Sequence, residues 1–111
     1  MKRLPLAGVF LMLAACSAPP KSNIPPLTPQ QAGELLHYNN KAQNWLKYVQ
    51  RNNPGCDYRL DLPDQRTHPT EIDLSHIVVC GARPVPREFD ASVSFEYDHN
   101  RGTWVISRFS S

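Results

Sequence analysis

Several sequence motifs that form catalytic or ligand-binding sites are absent from this chain of 111 residues. Its five glycines are scattered, so no Gly-rich loop is present that could cradle a phosphate group. Cysteine occurs three times without a Cys-x-x-Cys motif, and the four histidines form no His-x-x-x-His pair, so neither a redox dithiol nor a zinc site is indicated. No serine stands in a Gly-x-Ser-x-Gly elbow. We therefore expect no cofactor, no metal and no enzymatic activity.

Outside its first three residues, the chain has no surplus of positive charge. Two of the twelve Lys and Arg residues, Lys2 and Arg3, lie at the N-terminus, and the other ten are balanced by ten Asp and Glu residues. A nucleic-acid partner is not expected, because such partners are bound by a surplus of basic charge on one face. A polybasic membrane-binding patch is not expected for the same reason.

The N-terminal segment has the order of residues found in secretory signals. A short basic start, Met1–Arg3, is followed by the apolar run Leu4–Leu13 and by two alanines that precede Cys16. The apolar run is about half the roughly 20 residues that span a bilayer, so we do not expect a permanent transmembrane helix. The sequence predicts a signal peptide over residues 1–15.

The residues Leu13-Ala14-Ala15-Cys16 resemble the lipobox of bacterial lipoproteins. In that family the cysteine thiol receives a lipid, the signal peptide is cut just before it, and the new amino group is usually acylated. The resemblance implies lipidation of Cys16 and a membrane partner through that lipid. Ser17, in place of Asp, implies the outer membrane, facing the periplasm. Several acyl chains anchor a protein stably, since each buried CH₂ contributes about 0.8 kcal/mol. An ordinary secretory signal with a chance cysteine is the alternative.

Residues 16–27 are rich in proline and predict an extended, lipidated tether. Two Pro-Pro pairs fix φ and remove backbone donors, so neither a helix nor a sheet ladder is expected there. A polyproline II segment, at about 3.1 Å per residue, would hold the folded part roughly 30 Å from the lipid. We favour a generic spacer over a segment with its own binding role.

Residues 28–111 are expected to form one small α+β domain. A capping sequence begins at Thr28, and apolar residues then recur at spacings of three and four, which predicts one long helix over about 29–52. The sequence Asn-Asn-Pro-Gly ends it. Tyr38 and Trp45 lie on the apolar stripe and are expected to face the core.

Three or four strands are predicted after this helix from alternating apolar and polar residues. Their approximate bounds are 56–62, 72–80, 91–97 and 104–109, with a tight turn at 99–102. No crossover helix separates them, so the sheet should be an antiparallel meander. One long N-terminal helix packed on such a meander is similar in outline to cystatin-like folds. No residue and no function is carried over from that likeness.

The second and third cysteines are predicted to form a disulfide. Once Cys16 is lipidated, Cys56 and Cys80 remain as a pair in an oxidising compartment. If the first two strands pair so that Tyr58 faces Val78, the two cysteines face each other at a distance that suits a bridge. A redox pair is the alternative, and no activating neighbour in the sequence supports it.

Four apolar residues are predicted on the sheet face that points away from the helix. Ile77, Val79, Val105 and Phe109 would together form an exposed patch, of the kind that marks a partner surface. The alternatives are that the tail or the tether covers this face, or that the register differs by one residue. His76, at an inward strand position, is expected to be a core or rim histidine bonded to a carbonyl.

These features together favour a lipid-anchored, periplasm-facing module of the cell envelope that binds or assembles without catalysis. Its partner would be another envelope protein. The alternative is a small periplasmic enzyme inhibitor, for example of a wall hydrolase. Such an inhibitor would need a protruding loop, for which Pro63–Pro69 and Ala82–Phe89 are the candidates.

Overall fold

The computed structural model describes residues 24–111, so the predicted signal peptide, Cys16 and the first part of the predicted tether lie outside the described residues. The described chain is an α+β domain with two α-helices, one 3₁₀ turn and five strands. The elements are α1 (Pro29–His37), α2 (Asn40–Asn52), β1 (Asp57–Tyr58), β2 (Glu71–Leu74), β3 (Val78–Val79), the 3₁₀ turn Arg87–Phe89, β4 (Ser92–Asp98) and β5 (Thr103–Ser110). Over residues 24–111, none of the helices has the length and apolar character needed to cross a membrane.

The prediction of one long helix is wrong, because the chain forms two helices that break at Tyr38 and Asn39. Asn39 has an extended backbone, and its side-chain oxygen accepts a hydrogen bond from the backbone N–H of Ala42 at 2.9 Å. Asparagine is a favourable N-cap because it satisfies a helical N–H that otherwise has no partner. Tyr38, placed in the core by periodicity, is 80% exposed at the break. Trp45 is partly buried against the core.

The strands form two antiparallel sheets instead of one meander. The smaller sheet pairs β1 with β3, and the larger has the order β2-β4-β5. The predicted strand over 72–80 is divided, because the chain leaves the larger sheet after Leu74 and enters the smaller one at Val78. Between them His76 has a φ of 54°, a left-handed conformation that extended strands do not use. The single continuous sheet of a cystatin-like outline is therefore not formed.

The predicted disulfide and the register beside it are confirmed. Tyr58 faces Val78 across the smaller sheet, and a disulfide joins Cys56 to Cys80. One further backbone hydrogen bond follows, from the N–H of Arg59 to the carbonyl oxygen of Ile77 at 2.7 Å. The pairing then ends, because β2 pairs with β4 instead.

The last two predicted strands and the turn between them are also confirmed. β4 and β5 pair antiparallel over their whole lengths, with one irregularity beside Ser94. At the turn, a carboxylate oxygen of Asp98 accepts hydrogen bonds from the backbone N–H groups of Asn100 and Arg101. Gly102 has a φ of 69°, which explains the glycine at the end of this turn.

The end of the predicted tether is packed into the fold, and we call the segment Ile24–Leu27 the strap. Ile24 and Leu27 are buried, with 7% and 1% of their surface exposed. The indole Nε1 of Trp104 donates to the carbonyl oxygen of Pro25 at 2.8 Å. The side-chain amide of Gln65 bonds both the N–H and the carbonyl of Leu27, at 2.7 and 2.9 Å. Residues 24–27 of the predicted tether therefore belong to the folded part of the chain.

The disulfide should supply a large part of the stability. In the chain-entropy account, a bridge across a sequence separation of 24 residues contributes about 3–4 kcal/mol. We expect the Cys56→Ala, Cys80→Ala double variant to melt more than about 10 °C below the wild type, as followed by circular dichroism. Wild-type protein treated with dithiothreitol should behave like the variant. An unchanged melting temperature would show that the bridge contributes nothing.

The cap at Asn39 should stabilise the break between the helices. We expect Asn39→Ala to lower the free energy of unfolding in urea by about 1 kcal/mol, because the N–H of Ala42 loses its acceptor. Asn40→Ala is the matched control, since Asn40 is exposed in the first turn of α2 and should change stability by less than about 0.5 kcal/mol. Equal effects of the two substitutions would contradict the assignment of the cap.

Candidate functional site

A cleft of about 390 Å³ lies between α1, α2 and β1, and we call it the helix cleft. This volume is within the range of roughly 300–1,000 Å³ that small-molecule and side-chain pockets occupy. The lining is mixed. Its larger apolar side chains are Pro29, Leu36, Leu46 and Leu60, and its polar side chains are His37, Gln43, Asp57 and Tyr58.

The break between the helices gives the cleft its shape. The first helix ends at His37 and the second begins at Asn40, so both contribute residues to one concave surface. The side chain of Gln43 ties them together, because its Nε2 donates to the carbonyl oxygen of Leu36 at 3.3 Å. That carbonyl lies in the last turn of α1, where backbone acceptors lack helical partners.

Tyr58 joins the cleft to the core. Its hydroxyl donates to the carbonyl oxygen of Ala42 at 2.6 Å, and its ring packs edge-on against Phe109 with centroids 5.9 Å apart. Burial of the phenol raises the pKa of Tyr58 above its ordinary value, and the nearby carboxylate of Asp57 raises it further. The group therefore stays protonated and continues to donate to Ala42 at neutral pH.

The charge of the cleft comes from Asp57. No Lys or Arg is among the lining residues, so this carboxylate has no neighbouring cation within the cleft. Its Oδ1 accepts a hydrogen bond from the backbone N–H of Tyr58 at 2.7 Å. The cation that follows in sequence, Arg59, contacts Asp61 instead, at 3.5 Å. Asp57 is therefore the acidic side chain among the described residues that line the cleft, and no Lys or Arg lines it with Asp57.

A second polar site lies at the far end of the larger sheet. A carboxylate oxygen of Asp90 contacts Nδ1 of His76 beside a cavity of about 310 Å³ that includes Ser75, Ser92 and Ser110. The expectation of an inward His76 bonded to a carbonyl is wrong, since its side chain is 84% exposed. In the part of the chain that the structure describes, no serine hydroxyl hydrogen-bonds to this ring, which is the contact that an activated nucleophile uses.

The predicted partner surface does not form as one exposed face. Ile77 and Phe109 are buried in the core, with 1% and 4% of their surface exposed. Val79 and Val105 are half-buried and belong to different sheets. Two features end the alternation on which the prediction relied. The turn at His76 transfers the chain from the larger sheet to the smaller one. A register shift in β5, where Ser94 pairs with Arg108 but Phe95 with Ile106, places Phe109 on the core face.

The helix cleft was not predicted from the sequence. Asp57 alternates with apolar neighbours, which is typical of a solvated strand face, and His37 and Gln43 both fall within the one helix predicted over 29–52. The pair Asn39-Asn40 is the signal that marks the break, because asparagine is common at helix N-caps and unfavourable in helix interiors.

The buried phenol of Tyr58 should make stability fall at alkaline pH. Its pKa is raised in the folded state, whereas an unfolded tyrosine ionises near pH 10, so ionisation favours unfolding above about pH 10. We expect urea unfolding between pH 8 and 11 to show a smaller alkaline loss for Tyr58→Phe. At pH 8 this variant should lose about 1 kcal/mol with the hydrogen bond to Ala42. Tyr48→Phe, at an exposed position, is the control and should keep the wild-type slope. Identical slopes for all three proteins would contradict the argument.

Comparison with known proteins adds no relative to this description. No protein-family model, curated protein or solved structure matches the chain. The function is therefore argued from the strap, the helix cleft and the sequence of this chain alone.

Proposed function

We propose that this protein is a non-catalytic binding or assembly module of the bacterial envelope, held on the outer membrane by lipid on Cys16 and facing the periplasm. The observation that carries the proposal is the docked strap. Its residue Ile24, which is packed into the domain, lies only eight residues after the cysteine to which the lipobox resemblance assigns the lipid.

The short free segment limits how far the domain can stand from the bilayer. Eight residues span at most about 29 Å even when fully extended, at roughly 3.6 Å per residue. In a polyproline II conformation they would span about 25 Å. The domain is therefore held close to the lipid surface, where a partner would be another protein of the same membrane or its immediate surroundings.

In this proposal the end of the domain that carries the strap lies nearest the lipid. It contacts Trp104 at the start of β5, and Nδ1 of His68 lies 3.3 Å from the carbonyl oxygen of Ile24. From there β5 runs for eight residues, or about 27 Å, to Ser110. The proposal therefore directs the end of the sheet near Ser110 and Asp90 away from the membrane. The helix cleft begins at Pro29, two residues beyond the strap.

The character of the cleft supports binding in preference to the inhibitor alternative. An inhibitor would need a protruding loop, yet Gln65 ties the loop 63–69 to the strap and Phe89 of the other loop is buried. The mixed apolar and polar lining of the cleft is instead typical of a recognition site.

The anchoring part of the proposal is tested by mass spectrometry of the protein purified from membranes. We expect the mature N-terminal peptide to begin at Cys16 and to carry the mass of the acyl chains, and Cys16→Ala to lack this peptide. Cys56→Ala is the matched control, because it removes a cysteine without touching the lipobox and should retain the acylated peptide. An unmodified Cys16 in wild-type protein, or cleavage elsewhere, would overturn the proposal.

A further inference from the structure

We propose that the helix cleft binds the side chain of a lysine presented by a partner protein, with the carbon chain on the apolar lining and the ammonium group at Asp57. This inference rests on the proposed binding function and names the chemistry of its ligand. It does not depend on the lipid.

The apolar lining suits the stem of a lysine. Leu36 and Leu46 come from the two helices and Leu60 from the segment after β1, so apolar groups face the cleft from three directions. A long cationic side chain commonly buries its methylene groups along such a surface while its charged end stays near water. Each buried CH₂ contributes roughly fourfold in affinity.

Apart from the ring N–H of His37, the polar groups that line the cleft mainly accept hydrogen bonds. In residues 24–111, Oδ1 of Asp57 accepts from the backbone of Tyr58, and no hydrogen bond to its Oδ2 is formed. The Nε2 of Gln43 is engaged by Leu36, which leaves its Oε1 as an acceptor. The hydroxyl proton of Tyr58 is engaged by Ala42. An ammonium group has three donors and no acceptor, so it complements this arrangement.

The same arrangement disfavours other ligands. A carboxylate would meet the negative charge of Asp57 with no Lys or Arg in the lining to compensate. An apolar side chain would gain the contacts with the leucines, but it would leave the hydrogen-bond acceptors of Asp57 and Gln43 without a donor. The Tyr58 hydroxyl is neutral at physiological pH, as a phenol ordinarily is, so this residue adds no second negative charge.

Three small probes test the proposal by NMR titration of the leucine methyl groups in the lipidated protein, held in nanodiscs. They are the amides of Nα-acetyl-lysine, Nα-acetyl-norleucine and Nα-acetyl-glutamate. We expect the lysine probe to shift the methyl signals of Leu36, Leu46 and Leu60 and to bind about two- to fivefold more tightly than the norleucine probe. The glutamate probe should produce no shift. Acetylation of the lysine Nε, which removes the charge, should reduce binding to the norleucine level.

Two variants test whether the carboxylate of Asp57 causes the difference in affinity between the lysine and norleucine probes. Asp57→Asn should weaken the lysine probe to the affinity of the norleucine probe, and its methyl spectrum without a probe should match that of the wild type, which reports that it is folded. Asp61→Asn is the matched control, because Asp61 is an exposed carboxylate four residues away that does not line the cleft. It should leave all affinities unchanged.

The proposal is overturned if the lysine and norleucine probes bind equally, if Asp57→Asn leaves the lysine probe unaffected, or if no probe shifts the leucine signals. These outcomes are separate from failure of the proposed function. If the protein is acylated at Cys16 but binds no lysine probe, the proposed location stands and only the proposed ligand is wrong. If Cys16 is unmodified but the lysine probe binds, the proposed ligand stands and the proposed location is wrong.

Discussion

The hydrogen bonds that hold the strap determine how the rest of the molecule is placed. Trp104 bonds the carbonyl of Pro25, and Gln65 bonds both backbone groups of Leu27, so a segment with two prolines and no secondary structure is fixed against the sheet. Buried backbone groups require such partners, because leaving them unsatisfied costs about as much as a lost hydrogen bond. The first helix begins two residues after the strap, so the position of α1, and with it one wall of the helix cleft, follows from this docking.

The opposite wall depends on the disulfide. β1 and β3 pair over only two residues each, and a two-stranded sheet of this size has little stability of its own. The covalent link from Cys56 to Cys80 holds the two strands together, and the residue that follows Cys56 is Asp57, the charged group of the cleft. A location that keeps this pair oxidised is therefore also one that keeps the cleft formed.

Sequence patterns predicted the features that depend on local alternation and missed those that depend on distant side chains. The β4–β5 hairpin and the disulfide followed from alternation and register, since both involve neighbouring strands. The apolar residues on either side of Asn39 keep the spacing of one continuous helix. Only the preference of asparagine for helix N-caps indicates that the helix is broken there. Neither the left-handed backbone of His76 nor the register shift in β5 has a sequence signal, which is why the predicted partner surface failed. Proline content indicates that the strap is extended, but whether it is free or docked depends on Trp104, which is 79 residues further along the chain.

The strap is part of the folded domain, and amide hydrogen exchange at Leu27 tests this most directly. The N–H of this residue donates to Gln65, and its side chain is 1% exposed. The account predicts that it exchanges as slowly as the backbone amides of the central strand β4 and that Gln65→Ala accelerates this exchange. Exchange at the rate of an unstructured peptide in the wild-type protein would contradict the account. It would return residues 24–27 to the tether and leave the distance of the domain from the lipid undefined.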